Sequence, residues 1–219
     1  MAVVRHERVA IPRDTDLLAR WRKIPTAIIA DVSRGAALID PLIRPLRPPG
    51  QQPHLFGFAV TARCEVPDFG AVLHALDGIV AGDVLVIAAR GSHGQAMLGG
   101  ILGGYLRRKS AAGVVCDGAV RDVMELAAWD DFSVFSRFIT PRGPTGVDQG
   151  AVNEVINIGG RSIAPGDLMI GDDDGVVALT ADMLRTLIEP AEAKLKLEDD
   201  WITALGAGKT VADTFGLRR

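Results

Sequence analysis

The sequence has few cysteines and no long apolar run. Its two cysteines, Cys64 and Cys116, lie far apart and form no CxxC pair, which argues against a disulfide scaffold and against a cysteine zinc site. No apolar run reaches the length of about 18 residues that a membrane span needs. No charged-then-apolar signal peptide opens the chain. We therefore expect a soluble cytoplasmic protein that does not contact a membrane.

The chain also lacks an excess of positive charge. Its formal net charge is −3, and because nucleic-acid binders are usually basic, no nucleic-acid partner is expected. Aromatic residues make up only 5% of the sequence, whereas hydrophobic residues make up 48% and glycine accounts for 25 of the 219 residues. This length and composition predict one domain with a substantial core, in which glycines allow elements to approach closely.

The order of the hydrophobic patterns predicts a mixed α/β fold. Helical spacing occurs near the N-terminus, over 14–22 and 26–32. Further along, strands are predicted over 54–66, 84–89, 113–116 and 133–139, and helices over 69–80, 95–109 and 120–129. Short strands at 152–158, 168–170 and 176–179 are separated by Gly/Asp turns and predict a β meander. A charged amphipathic segment from Ala181 to about Leu205 predicts a C-terminal helix.

Four glycines lie inside the predicted helix over 95–109, namely Gly99, Gly100, Gly103 and Gly104. Each glycine in a helix costs about 0.5–1 kcal/mol relative to alanine, so another interaction must offset the cost. One interpretation is close packing of this helix on the sheet or on another helix. The other is a helix N-terminus whose amides approach an anionic ligand, because no Cβ stands in the way.

The segment D-G-A-V-R-D at 117–122 follows a predicted buried strand, where ligands of α/β folds collect. The guanidinium of Arg121 suits a carboxylate. The carboxylate of Asp122 suits Mg²⁺, which often takes one or two protein carboxylates and several waters. Purely structural interpretations are also open, because Asp122 could favour a helix N-terminus and Arg121 could pair with a surface carboxylate.

These two segments and their neighbours resemble the RraA-like family. That family includes 4-hydroxy-4-methyl-2-oxoglutarate aldolases, related oxaloacetate decarboxylases and the regulator of ribonuclease activity A. The resemblance rests on G-D-V-L-V-I at 82–87, G-G-I-L at 99–102 and G-V-V-C-D-G-A-V-R-D at 113–122, with flanking agreement at 26–32, 134–142 and 165–177. It implies one compact domain of the swivelling β/β/α type, with a core over about 20–180 and a helical tail over 181–219. It further implies a homotrimer, or a homohexamer of two trimers, with active sites at subunit contacts.

The resemblance also implies a function and a site. It implies a divalent-metal-dependent lyase that acts on a pyruvyl-containing acid, by retro-aldol cleavage of 4-hydroxy-2-oxo acids to release pyruvate, by decarboxylation of oxaloacetate, or by both. The substrate loop falls on Gly99, Gly100, Ile101 and Leu102, whose backbone amides would hold the carboxylate of a small 2-oxo acid. The substrate arginine falls on Arg121, and the aspartate that binds Mg²⁺ or Mn²⁺ falls on Asp122.

The chain departs from the family pattern at Gly100, where many members carry Asp or Glu. That acid is associated with proton movement in the aldolases. Retro-aldol cleavage needs a base for the C4 hydroxyl and decarboxylation does not, so Gly100 favours decarboxylation relative to a member with the full motif. His93, in the loop before the glycines, is a candidate catalytic proton carrier. An exposed loop histidine with no role is the other interpretation.

Two other functions remain open from the sequence. A protein-binding regulator of a ribonuclease on the same scaffold would not need an intact Arg121–Asp122 pair, so the presence of both residues favours the enzyme. A lyase or hydratase that acts on a different hydroxy acid could use the same metal pocket.

Overall fold

The structure is a computed structural model that describes residues 2–8 and 14–217. The single domain predicted over 1–219 therefore includes a few positions (1, 9–13 and 218–219) that lie outside the described residues. The elements of the first part of the chain are β1 (Val4–Arg5), α1 (Thr15–Trp21), α2 (Thr26–Val32), β2 (Arg44–Pro45), β3 (Leu55–Arg63), α3 (Gly70–Gly78) and β4 (Asp83–Ala88).

The second part of the chain contains a further group of alternating strands and helices, then a meander and three helices. These elements are β5 (Ala96–Leu98), α4 (Gly100–Arg108), β6 (Gly113–Val120), α5 (Val123–Leu126), β7 (Ser133–Ile139), β8 (Ala151–Val152), β9 (Ile156–Ile158), β10 (Arg161–Ile163), β11 (Leu168–Asp172), β12 (Gly175–Leu179), α6 (Ala181–Thr186), α7 (Ile188–Gly206) and α8 (Val211–Phe215). None of the helices in the described part of the chain is both long and apolar enough to cross a membrane.

The strands form one large mixed sheet and a small two-stranded one. The main path of the large sheet runs β1-β8-β3-β4-β6-β7-β2, and its central strands β3, β4, β6 and β7 are parallel. The hairpin β11–β12 joins the sheet through an antiparallel pairing of β11 with β3, and β9 and β10 form the second sheet. This compact arrangement confirms the predicted mixed α/β fold.

The core lies on both faces of the central strands. Every residue of β4 and β6 is buried, as expected of continuous apolar runs in a parallel sheet. Successive residues of a strand point to opposite faces, so Leu85 packs towards α3 and α4 while Val84 packs towards β9 and β11. A third apolar cluster joins α1, α2 and α7 to the β11–β12 hairpin, and Trp21 is fully buried there.

The N-terminal helices occur where the sequence predicts them, whereas the single helix predicted from Ala181 to about Leu205 is divided at Leu187 into α6 and α7. The carboxylate of Asp14 caps α1 by accepting hydrogen bonds from the amides of Asp16 and Leu17. Arg20 of α1 forms two hydrogen bonds with Glu192 of α7, at 2.8 and 2.7 Å, and so holds the terminal helices together.

The predicted helix over 95–109 is wrong at its N-terminal end. Residues Ala96–Leu98 form the short strand β5, which pairs in parallel with the end of β6, and the helix α4 begins only at Gly100. Gly99 is extended, with φ −150° and ψ −168°, and lies outside the helix. The cost of helical glycine therefore applies to three residues and not to four.

Three other predicted boundaries also change because of tertiary contacts. The strand predicted to end at Cys116 continues to Val120, with an irregular register opposite β7 after Cys116. The helix predicted over 120–129 shrinks to α5, because β6 occupies its first residues. The strand predicted over 152–158 is interrupted after β8, where Asn153 has a positive φ of 58°.

Candidate functional site

The two segments that carry the predicted chemistry meet in the structure. The amide of Gly100, at the start of α4, donates a hydrogen bond of 2.9 Å to Oδ2 of Asp122, which follows β6. A Cβ on Gly99 would overlap the Asp122 carboxylate and would lie 2.9 Å from Cγ of Arg121. Glycine at position 99 therefore lets the backbone of the first segment lie directly against the side chains of the second.

The backbone conformation of Asp122 explains how its carboxylate reaches the first segment. Asp122 has φ 57° and ψ 38°, a left-handed conformation that aspartate tolerates better than most residues. It is the N-cap residue of α5, yet its side chain does not cap that helix and instead accepts from the amide at the start of α4. The side chain is 46% exposed, so the carboxylate remains open to a ligand from solvent.

The guanidinium of Arg121 lies beside this carboxylate and beneath a loop. Its Nε is 3.6 Å from Oδ2 of Asp122, and a Cβ on Gly143 would lie 2.6 Å from its Nη1. The loop after Gly143 is fixed by Asp68, whose carboxylate accepts from the amides of Gly70, Asp148 and Gln149 at 2.7–3.1 Å. Burial raises the pKa of Asp68, but these three hydrogen bonds outweigh it and leave the pKa below its ordinary value.

An ion-pair network ties β6 to β7 and to the segment before β2. Arg137 donates to Asp117 at 2.6 Å and to Asp40 at 2.8 Å, and the second oxygen of Asp117 accepts from the amide of Gly159 at 3.0 Å. Burial lowers the pKa of Arg137, but the two carboxylates outweigh this and raise it above its ordinary value. A hydrogen bond from the amide of Leu42, together with Arg137, lowers the pKa of Asp40.

A cavity of about 190 Å³ opens at this junction. Arg121 and Asp122 form its charged end, and its other walls are mainly apolar side chains from α3, β5 and the first turn of α4. The amides of Ile101 and Leu102, in that first turn, have no hydrogen-bond acceptor within the described part of the chain. Free amides at a helix N-terminus carry partial positive charge and suit an anion. The cavity thus combines an anion-binding turn, a guanidinium and an exposed carboxylate.

Glu125 is a site residue that the sequence analysis missed. A Cβ on Gly100 would overlap Oε2 of Glu125 and would lie 2.7 Å from its Cδ, so this carboxylate fills the space that a side chain at position 100 would occupy. Glu125 follows Asp122 by three residues, a spacing that places two side chains on the same face of a helix. That spacing was the available signal.

His93 does not contact the carboxylates of Asp122 and Glu125 in any hydrogen bond or ion pair of the described residues. It is exposed, and its ring packs edge-on against Phe138 of β7 with 5.8 Å between ring centroids. Within the described part of the chain, His93 does not line the 190 Å³ cavity. Its role as a proton carrier remains a prediction.

The donor set fits a hard divalent cation that keeps most of its waters. Nowhere in 2–8 or 14–217 do three or more His, Cys, Asp or Glu side chains form a group that could hold a metal. Mg²⁺ often keeps several waters and takes only one or two protein carboxylates, and Asp122 offers one carboxylate that is 46% exposed. Binding of Mg²⁺ or Mn²⁺ at Asp122 therefore remains a chemically consistent prediction.

Comparisons with known proteins show the family to which the chain is similar. The family model described as RraA-like, Aldolase/RraA, matches residues 26–178. A protein of Halalkalibacterium halodurans, provisionally named a 4-hydroxy-4-methyl-2-oxoglutarate aldolase, is 34% identical over 187 residues, which cover 85% of this chain and 86% of that protein.

Solved structures show the same fold. An uncharacterized protein from Pseudomonas syringae pv. tomato superposes with a TM-score of 0.81 at 25% identity, over 94% of this chain and 99% of its own. The RNA-processing inhibitor RraA from Thermus thermophilis superposes with a TM-score of 0.58 at 27% identity, over 78% and 93%. By its matched family model and by its relatives, the chain belongs to the RraA-like family.

Proposed function

We propose that the protein is a divalent-metal-dependent carbon–carbon lyase that releases pyruvate from a small 2-oxo acid. The observation that carries the proposal is the convergence of Arg121 and Asp122 with the glycine turn at the start of α4. The name of the Halalkalibacterium halodurans relative supports the same reaction class.

The chain's own groups have distinct tasks in substrate binding. The free amides of Ile101 and Leu102 bind the carboxylate of the pyruvyl group, at the positive end of α4. The amide of Gly100 does not contact substrate, because it orients the carboxylate of Asp122. Arg121 supplies fixed positive charge close to the 2-oxo oxygen, where negative charge develops when the bond β to the keto group breaks.

Asp122 holds the cation in this proposal. When bound there, Mg²⁺ or Mn²⁺ supplies a Lewis acid to the 2-oxo group. The hydrogen bond from Gly100 fixes the direction of the carboxylate, and Nε of Arg121 lies 3.6 Å from its Oδ2. These two contacts are how the chain prepares Asp122 for the cation.

Glu125 performs the function of the acidic residue that many family members carry at the position of Gly100. Its carboxylate occupies the space beside Gly100, next to Asp122, which is where a base for the C4 hydroxyl of the substrate is needed. Retro-aldol cleavage is therefore part of the proposed activity, alongside decarboxylation of oxaloacetate. His93 is the alternative proton carrier, and the variants Glu125→Gln and His93→Ala distinguish the two by which one lowers the rate of aldol cleavage.

The test is an assay of pyruvate release from 4-hydroxy-4-methyl-2-oxoglutarate and from oxaloacetate, with Mg²⁺, with Mn²⁺ and with EDTA. We expect release from both substrates that EDTA abolishes and that Asp122→Asn lowers by at least about 100-fold. Asparagine keeps an oxygen that can accept from Gly100, so the variant removes the cation's ligand and leaves the fold intact. Release that is unaffected by EDTA, or no release by the folded protein, would contradict the proposal.

We also propose that the protein assembles as a homotrimer or a homohexamer around this site. Two apolar side chains that flank it are almost fully exposed, Ile101 at 81% and Met124 at 89%, and exposed apolar groups of this kind favour burial against a second copy. Light scattering coupled to size-exclusion chromatography tests the assembly, and a monomer at micromolar concentration would contradict it.

A regulator of RNA processing is the second candidate, because the Thermus thermophilis structure that superposes on this chain is an RNA-processing inhibitor. This function predicts that the protein inhibits a ribonuclease equally well with EDTA and with Asp122→Asn. The lyase predicts no inhibition of the ribonuclease and a loss of pyruvate release under both conditions.

A further inference from the structure

The loop that connects β7 to β8, residues 140–150, covers one side of the candidate site. Pro144 of this loop lines the 190 Å³ cavity. A Cβ on Gly143 would lie 2.6 Å from Nη1 of Arg121, so the backbone of Gly143 packs directly against the guanidinium. The loop therefore limits the directions in which the side chain of Arg121 can point.

The far end of the β7–β8 loop wraps around the side chain of Asp68, a residue that is only 5% exposed. Its Oδ1 accepts hydrogen bonds from the amides of Gly70 at 2.7 Å and Gln149 at 3.1 Å, and its Oδ2 accepts from the amide of Asp148 at 3.0 Å. A Cβ on Gly146, whose φ is 121°, would overlap Oδ2, so the loop closes on the carboxylate at a glycine. A buried carboxylate is costly unless its oxygens are paired, and here backbone amides, two of them from the loop, pair them.

Gly143 lies in a short span between two fixed points of this loop. On one side, the carbonyl oxygen of Arg142 accepts a hydrogen bond of 2.8 Å from the amide at the start of β5. On the other side, the amide of Thr145 donates to the carbonyl oxygen of Pro67, the chain neighbour of Asp68, at 2.9 Å. Only two residues separate these points, so a change in the loop around Asp68 moves Gly143 as well.

The guanidinium of Arg121 depends on this support because few other contacts hold it. Its Nε is 3.6 Å from Oδ2 of Asp122, and within the described part of the chain the guanidinium donates no hydrogen bond. The side chain of Arg121 is 40% exposed. A long side chain of this kind loses rotamer freedom when it binds a ligand, unless packing restricts it beforehand. The contact with Gly143 supplies that restriction.

We propose that Asp68 is a positioning residue for Arg121, because it holds the β7–β8 loop in the shape that keeps Gly143 against the guanidinium and thereby directs Arg121 at the 2-oxo acid. The inference rests on the proposed function and adds to it a residue that does not contact substrate. Within the part of the chain that the structure describes, Asp68 does not line the 190 Å³ cavity. Its effect on substrate binding must therefore pass through the loop.

The test compares the binding of Mn²⁺ alone with the binding of pyruvate in the presence of Mn²⁺, by calorimetric titration of the whole chain. Asp68→Asn replaces one oxygen that accepts from the backbone with an amide nitrogen, and so loosens the loop. Gly143→Ala disturbs the contact with Arg121 without altering a buried charge, so it tests the proposal even where Asp68→Asn lowers stability. Asp167→Asn is the matched control. Asp167 is also a buried aspartate, 7% exposed, and it accepts from the amide of Ala164 at the edge of the sheet where the parallel strands begin, away from the site.

We expect Asp68→Asn and Gly143→Ala each to weaken pyruvate binding by about tenfold, with the affinity for Mn²⁺ unchanged. The two affinities separate because the carboxylate of Asp122 is oriented by the amide of Gly100 and not by the loop. A general loss of structure would lower both affinities together. Asp167→Asn should change neither affinity.

A double variant tests whether Asp68 acts through Arg121. When it is added to Arg121→Lys, which replaces the planar guanidinium with an ammonium, Asp68→Asn should weaken pyruvate binding by less than about twofold. Parallel losses of Mn²⁺ and pyruvate affinity in Asp68→Asn, an unchanged pyruvate affinity in Asp68→Asn or Gly143→Ala, or the full further loss in the Arg121→Lys background would overturn the proposal. If the wild-type protein binds pyruvate with Mn²⁺ in these cases, the proposed function survives. If the wild-type protein binds no pyruvate, both proposals fail.

Discussion

Replacement of Gly100 by alanine separates the role of Glu125 from the stability of the fold. The new methyl group would overlap Oε2 of Glu125, which is exposed and can move aside. Alanine in the helix gains about 0.5–1 kcal/mol over glycine, and this gain offsets the cost of moving the flexible carboxylate. We therefore expect the free energy of unfolding to change by less than about 1 kcal/mol.

The activity of this variant should change far more than its stability. General acid–base catalysis contributes about 10²–10⁴-fold, and a displaced carboxylate should cost the lower end of that range. We expect kcat for aldol cleavage to fall about 100-fold, whereas decarboxylation of oxaloacetate, which needs no base, falls less than about threefold. A coupled assay of pyruvate release measures both rates. Gly206→Ala is the matched control, because Gly206 lies at the end of α7 with no atom within 4 Å of its Cβ position.

Moving the carboxylate from position 125 to position 100 provides a second test of the role of Glu125. Glu125→Ala should lose aldol cleavage, and the double variant Gly100→Asp with Glu125→Ala should regain at least about tenfold of it, because the acid returns to the same space. Equal losses of both reactions in Gly100→Ala, or no recovery in the double variant, would refute a proton-transfer role for Glu125.

Three further predictions concern stability and reactivity. Because three amide hydrogen bonds leave the pKa of Asp68 below its ordinary value, its contribution to the free energy of unfolding is present above about pH 4 and is lost as the pH falls through the lowered pKa. Urea unfolding from pH 3 to 7 should show this acid dependence reduced in Asp68→Asn. Arg8→Met should lower the free energy of unfolding by about 3 kcal/mol, because it leaves the buried carboxylate of Asp83 without the guanidinium that pairs with it. The double variant Arg8→Met with Asp83→Asn should recover part of that loss in the same unfolding assay. Burial raises the pKa of Cys64 to about 12 and raises that of Cys116, so neither thiol should react with a disulfide reagent until urea unfolds the chain.

Much of the fold could be predicted from local pattern. The apolar runs of β4 and β6 are buried on both faces, and the Asp14 cap of α1 and the hydrophobic spacing of α1 and α2 are local signals that tertiary contacts do not override. The strand β5 could not be predicted in this way, because its three residues are held by tertiary contacts, namely the pairing with the end of β6 and the hydrogen bond that the amide of Ala96 donates to the carbonyl oxygen of Arg142.

The candidate site was predictable in its residues but not in its contacts. The D-G-A-V-R-D segment and the glycines could be singled out from sequence, and the structure brings them together at Gly99 and Asp122. The amide of Gly100 binds Asp122 because of the left-handed backbone at that aspartate, which no pattern of residue types specifies. Glu125 was missed because its spacing from Asp122 does not by itself show that its carboxylate fills the space beside Gly100, a contact that exists only in three dimensions.

The central claim is that one cation and one 2-oxo acid bind together at the junction of the α4 N-terminus with Arg121 and Asp122. Titration of Mn²⁺ by electron paramagnetic resonance, with and without pyruvate, measures this directly. We predict that pyruvate tightens Mn²⁺ binding at a single site per chain, and that Asp122→Asn removes both the site and its response to pyruvate without lowering the unfolding temperature. Mn²⁺ binding that is indifferent to pyruvate, or that is unchanged in Asp122→Asn, would contradict it.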